Sequence, residues 1–138
     1  MQRREARAFL LTALYQREFT GTDLDEFIEA SETDLGDQLG YVESGFEGIL
    51  ARQPEIDELI GARTVGWRFE RLALIDRNIL RIGVYELLHS DDVPPEVAMD
   101  EAVELAKSFG TDRAREFVNG ILDRIWKDAN KVAEPAAE

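Results

Sequence analysis

Residues 72–88 read LALIDRNILRIGVYELL. On a helical projection, Leu72, Ile75, Ile79, Leu80, Ile82 and Leu87 cover one side, while Leu74, Tyr85 and Leu88 occupy the other. A helix that is apolar nearly all round is the central helix of a bundle. Two carboxylates, Asp76 and Glu86, fall among its apolar positions, where each needs a partner. Arg77 and Arg81 project to the far side and read as surface residues. Gly83 puts a small residue where a neighbouring helix can pack closely.

The flanking segments share the helical period. Upstream, Ala6, Phe9, Leu10, Ala13 and Leu14 form one stripe, with Gly21 as its stop. Thr22 and Asp23 then cap a short helix holding Leu24, Phe27 and Ile28. Leu39, Val42, Phe46, Ile49 and Leu50 make the next stripe, ended by Pro54, and Ile56, Leu59 and Ile60 continue in a shorter one. Downstream, Pro94-Pro95 breaks the chain, and Pro95 suits the first position of a helix. That helix carries Glu96, Asp100 and Glu101 early and Lys107 late, as the macrodipole favours, and stops at Phe109-Gly110. Ala114, Phe117, Val118, Ile121, Leu122 and Ile125 then hold the spacing over three turns. Gly120 lies inside this last helix, where it costs about 1 kcal/mol relative to Ala. Close approach of another helix is expected to compensate, or a ligand that Asn119 can hydrogen-bond.

These stripes predict an all-α fold, a compact bundle of about seven helices in one domain over residues 1–138. Two packed helical halves, about 1–68 and 69–130, are expected to meet near residues 66–72. The polar tail, 128–138, is expected to fray.

Composition narrows the function. With 44% hydrophobic and 33% charged residues, the 138-residue chain can bury a core and is no disordered tail. It has no cysteine, which excludes disulfides, thiolate metal sites and cysteine nucleophiles. No apolar run approaches the roughly 18 residues of a membrane span, and the charged start lacks a secretory signal, so a cytoplasmic protein is expected. The single histidine, His89, has no nucleophile signature beside it and reads as a cation at a helix C-terminus. Asp91-Asp92 lacks calcium-loop spacing, and the glycines form no phosphate loop. No enzyme, metal or cofactor is expected.

The net charge of −13 is unevenly spread. Residues 1–20 carry a net +2, whereas ten acids and no base lie between Arg17 and Arg52. Such a chain repels nucleic acid as a whole, so any phosphate contact must be local. Arg3, Arg4 and Arg7 lie within about 100° of one another on the first helix, near Leu11 and Tyr15. Cations at a helix start oppose its dipole, which points to a polyanion ligand for this arm, with little role in stability. Lys107, Arg113 and Arg115 extend the basic surface, because Gly110 brings two helix ends together.

Together these residues resemble the NusB family of transcription antitermination factors. The opening Arg3-Arg4-Glu5-Ala6-Arg7 with Ala13-Leu14-Tyr15 is similar to that family's first helix. So are the run from Asp76 to Leu87, the run Ala102-Val103-Glu104-Leu105-Ala106-Lys107-Ser108-Phe109-Gly110, and the run from Phe117 to Asp123. The resemblance implies an all-helical factor without catalysis that binds boxA-type RNA of ribosomal RNA leader transcripts together with NusE, a ribosomal small-subunit protein. The complex would join RNA polymerase and suppress premature termination. RNA contacts implied by the resemblance are the Arg3, Arg4 and Arg7 arm and the neighbourhood of Lys107, Arg113 and Arg115; Tyr15, beside the arm, and Asn119, as a hydrogen-bonding residue, are the further candidates. Asp76 and Glu86 are the matched candidates for recruiting NusE. A related domain occurs fused to ribosomal RNA methyltransferases, but 138 residues leave no room for one, which favours the free-standing factor. The alternative is a helical protein–protein adaptor without useful RNA affinity. An exposed apolar face leaves room for a homodimer as well as for the partner.

Overall fold

The computed structural model describes residues 1–64 and 68–133, with side chains up to Asn130. The expected boundary between halves falls partly on residues 65–67, and the end of the expected tail on 134–138; both lie outside the described residues. Among the described residues seven α-helices follow in order: α1 (Arg3–Thr20), α2 (Leu24–Ser31), α3 (Leu39–Ala51), α4 (Gln53–Gly61), α5 (Leu74–His89), α6 (Pro95–Phe109) and α7 (Ala114–Ala133). Short 3₁₀ turns occur at Gly36–Gln38 and Phe69–Arg71, and no strand occurs among the described residues. The architecture is all-α, as the periodicity predicts.

Local chemistry sets the helix ends. Gly21 adopts a left-handed φ of 78°, and its N–H donates to Arg17 O to close α1. Asp23 stands at the N-cap of α2, and Pro95 opens α6 after an extended Pro94. Pro54 behaves differently from its sequence reading. It lies in the first turn of α4, where its missing N–H is no loss, and α3 has already ended at Ala51. α7 likewise runs beyond the expected fraying point at Lys127, with Asn130 Nδ2 donating to Trp126 O and Lys127 paired to Asp123 at 2.8 Å.

α5 is the axis of the bundle. It packs against α1, α3 and α4 on one side and against α6 and α7 on the other. Ile79, Leu80, Ile82 and Val84 are all but fully buried within one core cluster that draws side chains from all seven helices. Gly83 permits the approach of α6 and α7: a Cβ there would lie 2.8 Å from Leu122 Cδ1 and 3.3 Å from Ala102 Cβ. Gly120 does the opposite of what its position suggests. A Cβ at Gly120 would meet nothing within 4 Å, so no helix packs on it. Arg81 also departs from expectation, because it is buried rather than a surface residue.

The two helix-interior glycines therefore predict opposite outcomes. Gly83→Val should destabilise the fold by about 1–3 kcal/mol through overpacking. Gly120→Ala should stabilise it by up to about 1 kcal/mol, the helix-propensity difference. Thermal or urea unfolding of both variants checks the pair; a stabilising Gly83→Val would contradict the packing described.

Candidate nucleic-acid interface

The three arginines at the start of α1 have three different fates. Arg7 lies three residues before Leu10 and four before Leu11, on the buried stripe, and is only 4% exposed. Its Nε donates to Glu86 Oε1 at 2.8 Å, and its Nη1 lies 3.5 Å from Glu101 Oε1. The Tyr41 hydroxyl of α3 donates to the same Glu86 carboxylate. Burial pushes the Tyr41 hydroxyl far above its ordinary pKa, and the charge of Glu86 adds to this, so it stays a donor. Arg3 turns toward α3, its Nε donating to Gln38 Oε1 at 2.6 Å and its guanidinium 4.1 Å above the Tyr41 ring. Arg4 reaches α6 from the surface, with a side chain 65% exposed.

Several sequence expectations are corrected here. Arg7 is a core residue held by Glu86 and Glu101, so it offers no surface for phosphate and cannot be neutral to stability. Glu86 is 2% exposed, and its oxygens accept from Arg7 and Tyr41. Asp76 is equally buried and accepts from Thr111 N–H at 3.0 Å and from Thr111 Oγ1 at 2.6 Å, pinning the turn that follows Gly110. Both carboxylates are turned inward onto internal partners, so neither lies on a surface that a docking protein would meet. The need of both acids for a partner is readable in the sequence, and internal residues supply it.

Arg4, Lys107, Arg115 and Asn119 come together around a shallow depression of about 720 Å³ between the start of α1, α6 and the first turns of α7. Asp100, Glu101, Glu104 and Glu116 line the same depression. Arg4 grips Glu101 with two nitrogens, Nε at 3.1 Å and Nη2 at 2.8 Å. The hydrogen bonds from Arg4 hold the Glu101 carboxyl below its usual range against a smaller opposing effect of burial, with the charges of Arg4 and Arg7 assisting. Lys107 Nζ sits 3.2 Å from Glu104. Arg115 is exposed and has no ion pair among the described residues. Arg113 is exposed in the turn before α7, and Arg3 lies outside the depression. Tyr15 is further along α1, stacked on an exposed Phe19 with ring centroids 6.1 Å apart.

A second ionic cluster lies elsewhere. The buried guanidinium of Arg81 binds Asp57 through Nε at 2.8 Å and Glu18 through Nη1 at 2.7 Å, tying α5 to α4 and α1. Burial pushes the Glu18 carboxyl up, but hydrogen bonds from Arg81 and Asn78 and the charges of Arg81 and Arg77 outweigh it, leaving a net lowering. His89 closes α5 with Nε2 3.3 Å from Glu55 Oε1. No group of three potential metal ligands occurs among the described residues, and no helix among them is long and apolar enough to cross a membrane.

The NusB family model matches residues 4–127. The chain belongs to the NusB family. Transcription antitermination protein NusB of Bacillus subtilis is 41% identical over 129 residues, covering 93% of this chain and 97% of that protein. The NusB protein of Symbiobacterium thermophilum is 44% identical over 136 residues, with 91% and 89% covered. Among solved structures, T. maritima NusB superposes with a TM-score of 0.83 at 38% identity, covering 97% of this chain and 99% of that one. A chain from the crystal structure of antitermination factors NusB and NusE in complex with dsRNA gives a TM-score of 0.80 at 28% identity, with 91% and 96% covered.

The buried ion pair of this NusB-family chain predicts a stability effect that the exposed arginine lacks. Arg7→Ala strands Glu86 without a countercharge and should cost about 3–5 kcal/mol, whereas Arg7→Met combined with Glu86→Leu and Tyr41→Phe, which leaves no orphaned hydroxyl, should be close to neutral. Arg4→Ala should leave the melting temperature nearly unchanged. Calorimetric melting temperatures of the three variants check this, and an Arg7→Ala protein as stable as wild type would contradict the assignment.

Proposed function

We propose that this chain is a non-catalytic transcription antitermination factor that binds boxA-type RNA of ribosomal RNA leader transcripts jointly with NusE, in the cytoplasm and as part of the RNA polymerase antitermination complex. The observation that carries this reading is the family match across nearly the whole chain. The close likeness to a chain of a NusB–NusE–dsRNA complex supports it.

The depression between α1, α6 and α7 is the proposed phosphate-binding surface. Arg4, Lys107 and Arg115 supply cations there, and Asn119 supplies a neutral donor and acceptor. Arg3, Arg113 and Tyr15 are proposed as contacts at its margin. Arg7 takes no part, because it is enclosed. A chain of net charge −13 gains little from long-range attraction to RNA. A basic partner answers this: NusE, as a ribosomal protein, brings cations beside those of α1, α6 and α7 and makes one composite groove. Linkage makes the coupling reciprocal, so RNA tightens NusE binding by the same factor that NusE tightens RNA binding, of order 1–3 kcal/mol.

Titration of labelled boxA-type RNA and a scrambled control, with and without NusE, tests the proposal. The expected result is sequence-selective binding that NusE strengthens. Changing Arg4, Lys107 and Arg115 to Ala should weaken binding at every sequence and flatten the logarithmic salt dependence by about 0.7 for each phosphate no longer neutralised. Absence of selective binding in both conditions would favour a protein–protein adaptor instead.

A further inference from the structure

The two ion pairs formed within the α1–α6–α7 depression each set a cation against a carboxylate of α6. Glu101 offers Arg4 two oxygens in the fork geometry that a phosphate would also offer. Glu104 holds Lys107 through a single contact. The two partners of the Arg4 pair differ in freedom. Arg4 is 65% exposed on a flexible stem, while Glu101 is only 15% exposed and also borders the enclosed Arg7 guanidinium at 3.5 Å. When Arg4 swings away, Glu101 keeps a charged neighbour. Releasing Arg4 therefore leaves no orphaned carboxylate behind, and the pair can open without disturbing the core.

We propose that Glu101 is an internal competitor for Arg4 on this surface: an RNA phosphate must take the place of its carboxylate, so Glu101 sets how tightly the chain holds RNA. The inference rests on the RNA-binding reading above and adds to it a residue that tunes the strength of binding. Any phosphate that reaches Arg4 must first displace this carboxylate, so Glu101 subtracts from the affinity of every strand that engages the arginine. A strand that fits engages Arg115 and Asn119 and delivers a phosphate to Arg4. A strand that does not fit leaves Arg4 on Glu101 and has one fewer of its phosphates neutralised. Glu104 acts on Lys107 in the same sense, more weakly, because its contact is single and both side chains are close to half exposed.

Glu101→Gln keeps the side-chain shape, removes the charge, and leaves Arg7 its pair with Glu86. Fluorescence titration of scrambled single-stranded RNA over a salt series is the test, with folding checked by thermal melting. The variant should bind scrambled RNA about two- to fivefold more tightly, the size of an exposed ion pair. Its logarithmic salt slope on that RNA should steepen by about 0.7, the signature of one more neutralised phosphate. On boxA-type RNA it should gain at least as much affinity without a change of slope, because Arg4 already meets a phosphate there and no longer has to be released from Glu101. Adding Arg4→Ala to Glu101→Gln should cancel both gains. Glu104→Gln supplies a second, smaller gain through Lys107, so the outcome does not hang on one variant. Folded Glu101→Gln and Glu104→Gln proteins that bind scrambled RNA no more tightly than wild type would overturn the inference. Wild-type protein with no preference for boxA-type over scrambled RNA would instead count against the functional reading, while a gain on scrambled RNA would still support the competitor role.

Discussion

Burying an arginine is the constraint around which this molecule is arranged. The Arg7 guanidinium has lost its water and must be met by charge and hydrogen bonds inside the protein. Glu86 of α5 and Glu101 of α6 meet it, and Tyr41 of α3 completes the coordination of Glu86. One side chain thus links α1 to three other helices. Such a pair contributes little net stability over a well-packed apolar alternative, yet losing one member is costly. Its effect is on geometry. With Arg7 enclosed, the rotation of α1 about its axis is set, so Arg3 emerges over α3 and Arg4 over α6.

The arrangement also bears on the proposed function, in which a strongly acidic chain presents a surface for phosphate. The cations of the depression are few, and Arg4 and Lys107 already have carboxylate partners, so the free protein shows little bare positive charge there. Nothing in that surface draws polyanions from a distance. On the proposed function, recognition comes from short-range exchange of one anionic partner for another, and from cations contributed by a second protein.

Much of the fold is legible in the sequence, and the reasons are physical. The stretch 72–88 announces a central helix because its apolar residues wrap nearly the full circumference, and Gly83 marks the close approach of α6 and α7. Helix ends at Gly21, Pro95 and Gly110 follow from local backbone chemistry, which needs no tertiary information. The site is only half legible. Arg4, Lys107, Arg115 and Asn119 read correctly as neighbours of one surface, because helix periodicity and the Gly110 turn bring them together. Arg7 and Arg81 are misplaced, because a polar–apolar pattern classes every arginine as exterior. Their partners lie 79 residues away at Glu86, 24 away at Asp57 and 63 away at Glu18, and one-dimensional spacing cannot pair them. The clue lies in the order of the stripe itself: Arg7 shares the face of Leu10, Leu11 and Leu14, and the central helix holds a carboxylate in need of a cation.

The most direct test of this account is hydrogen exchange at the arginine Nε–H groups, read by NMR in the free protein and with boxA-type RNA and NusE bound. The account predicts that the Arg7 Nε–H exchanges only through global unfolding and keeps its chemical shift when RNA binds, while the Arg4 Nε–H exchanges rapidly when free and shifts on binding. An Arg7 signal that exchanges as fast as that of Arg4, or that moves with RNA while Arg4 does not, would contradict it.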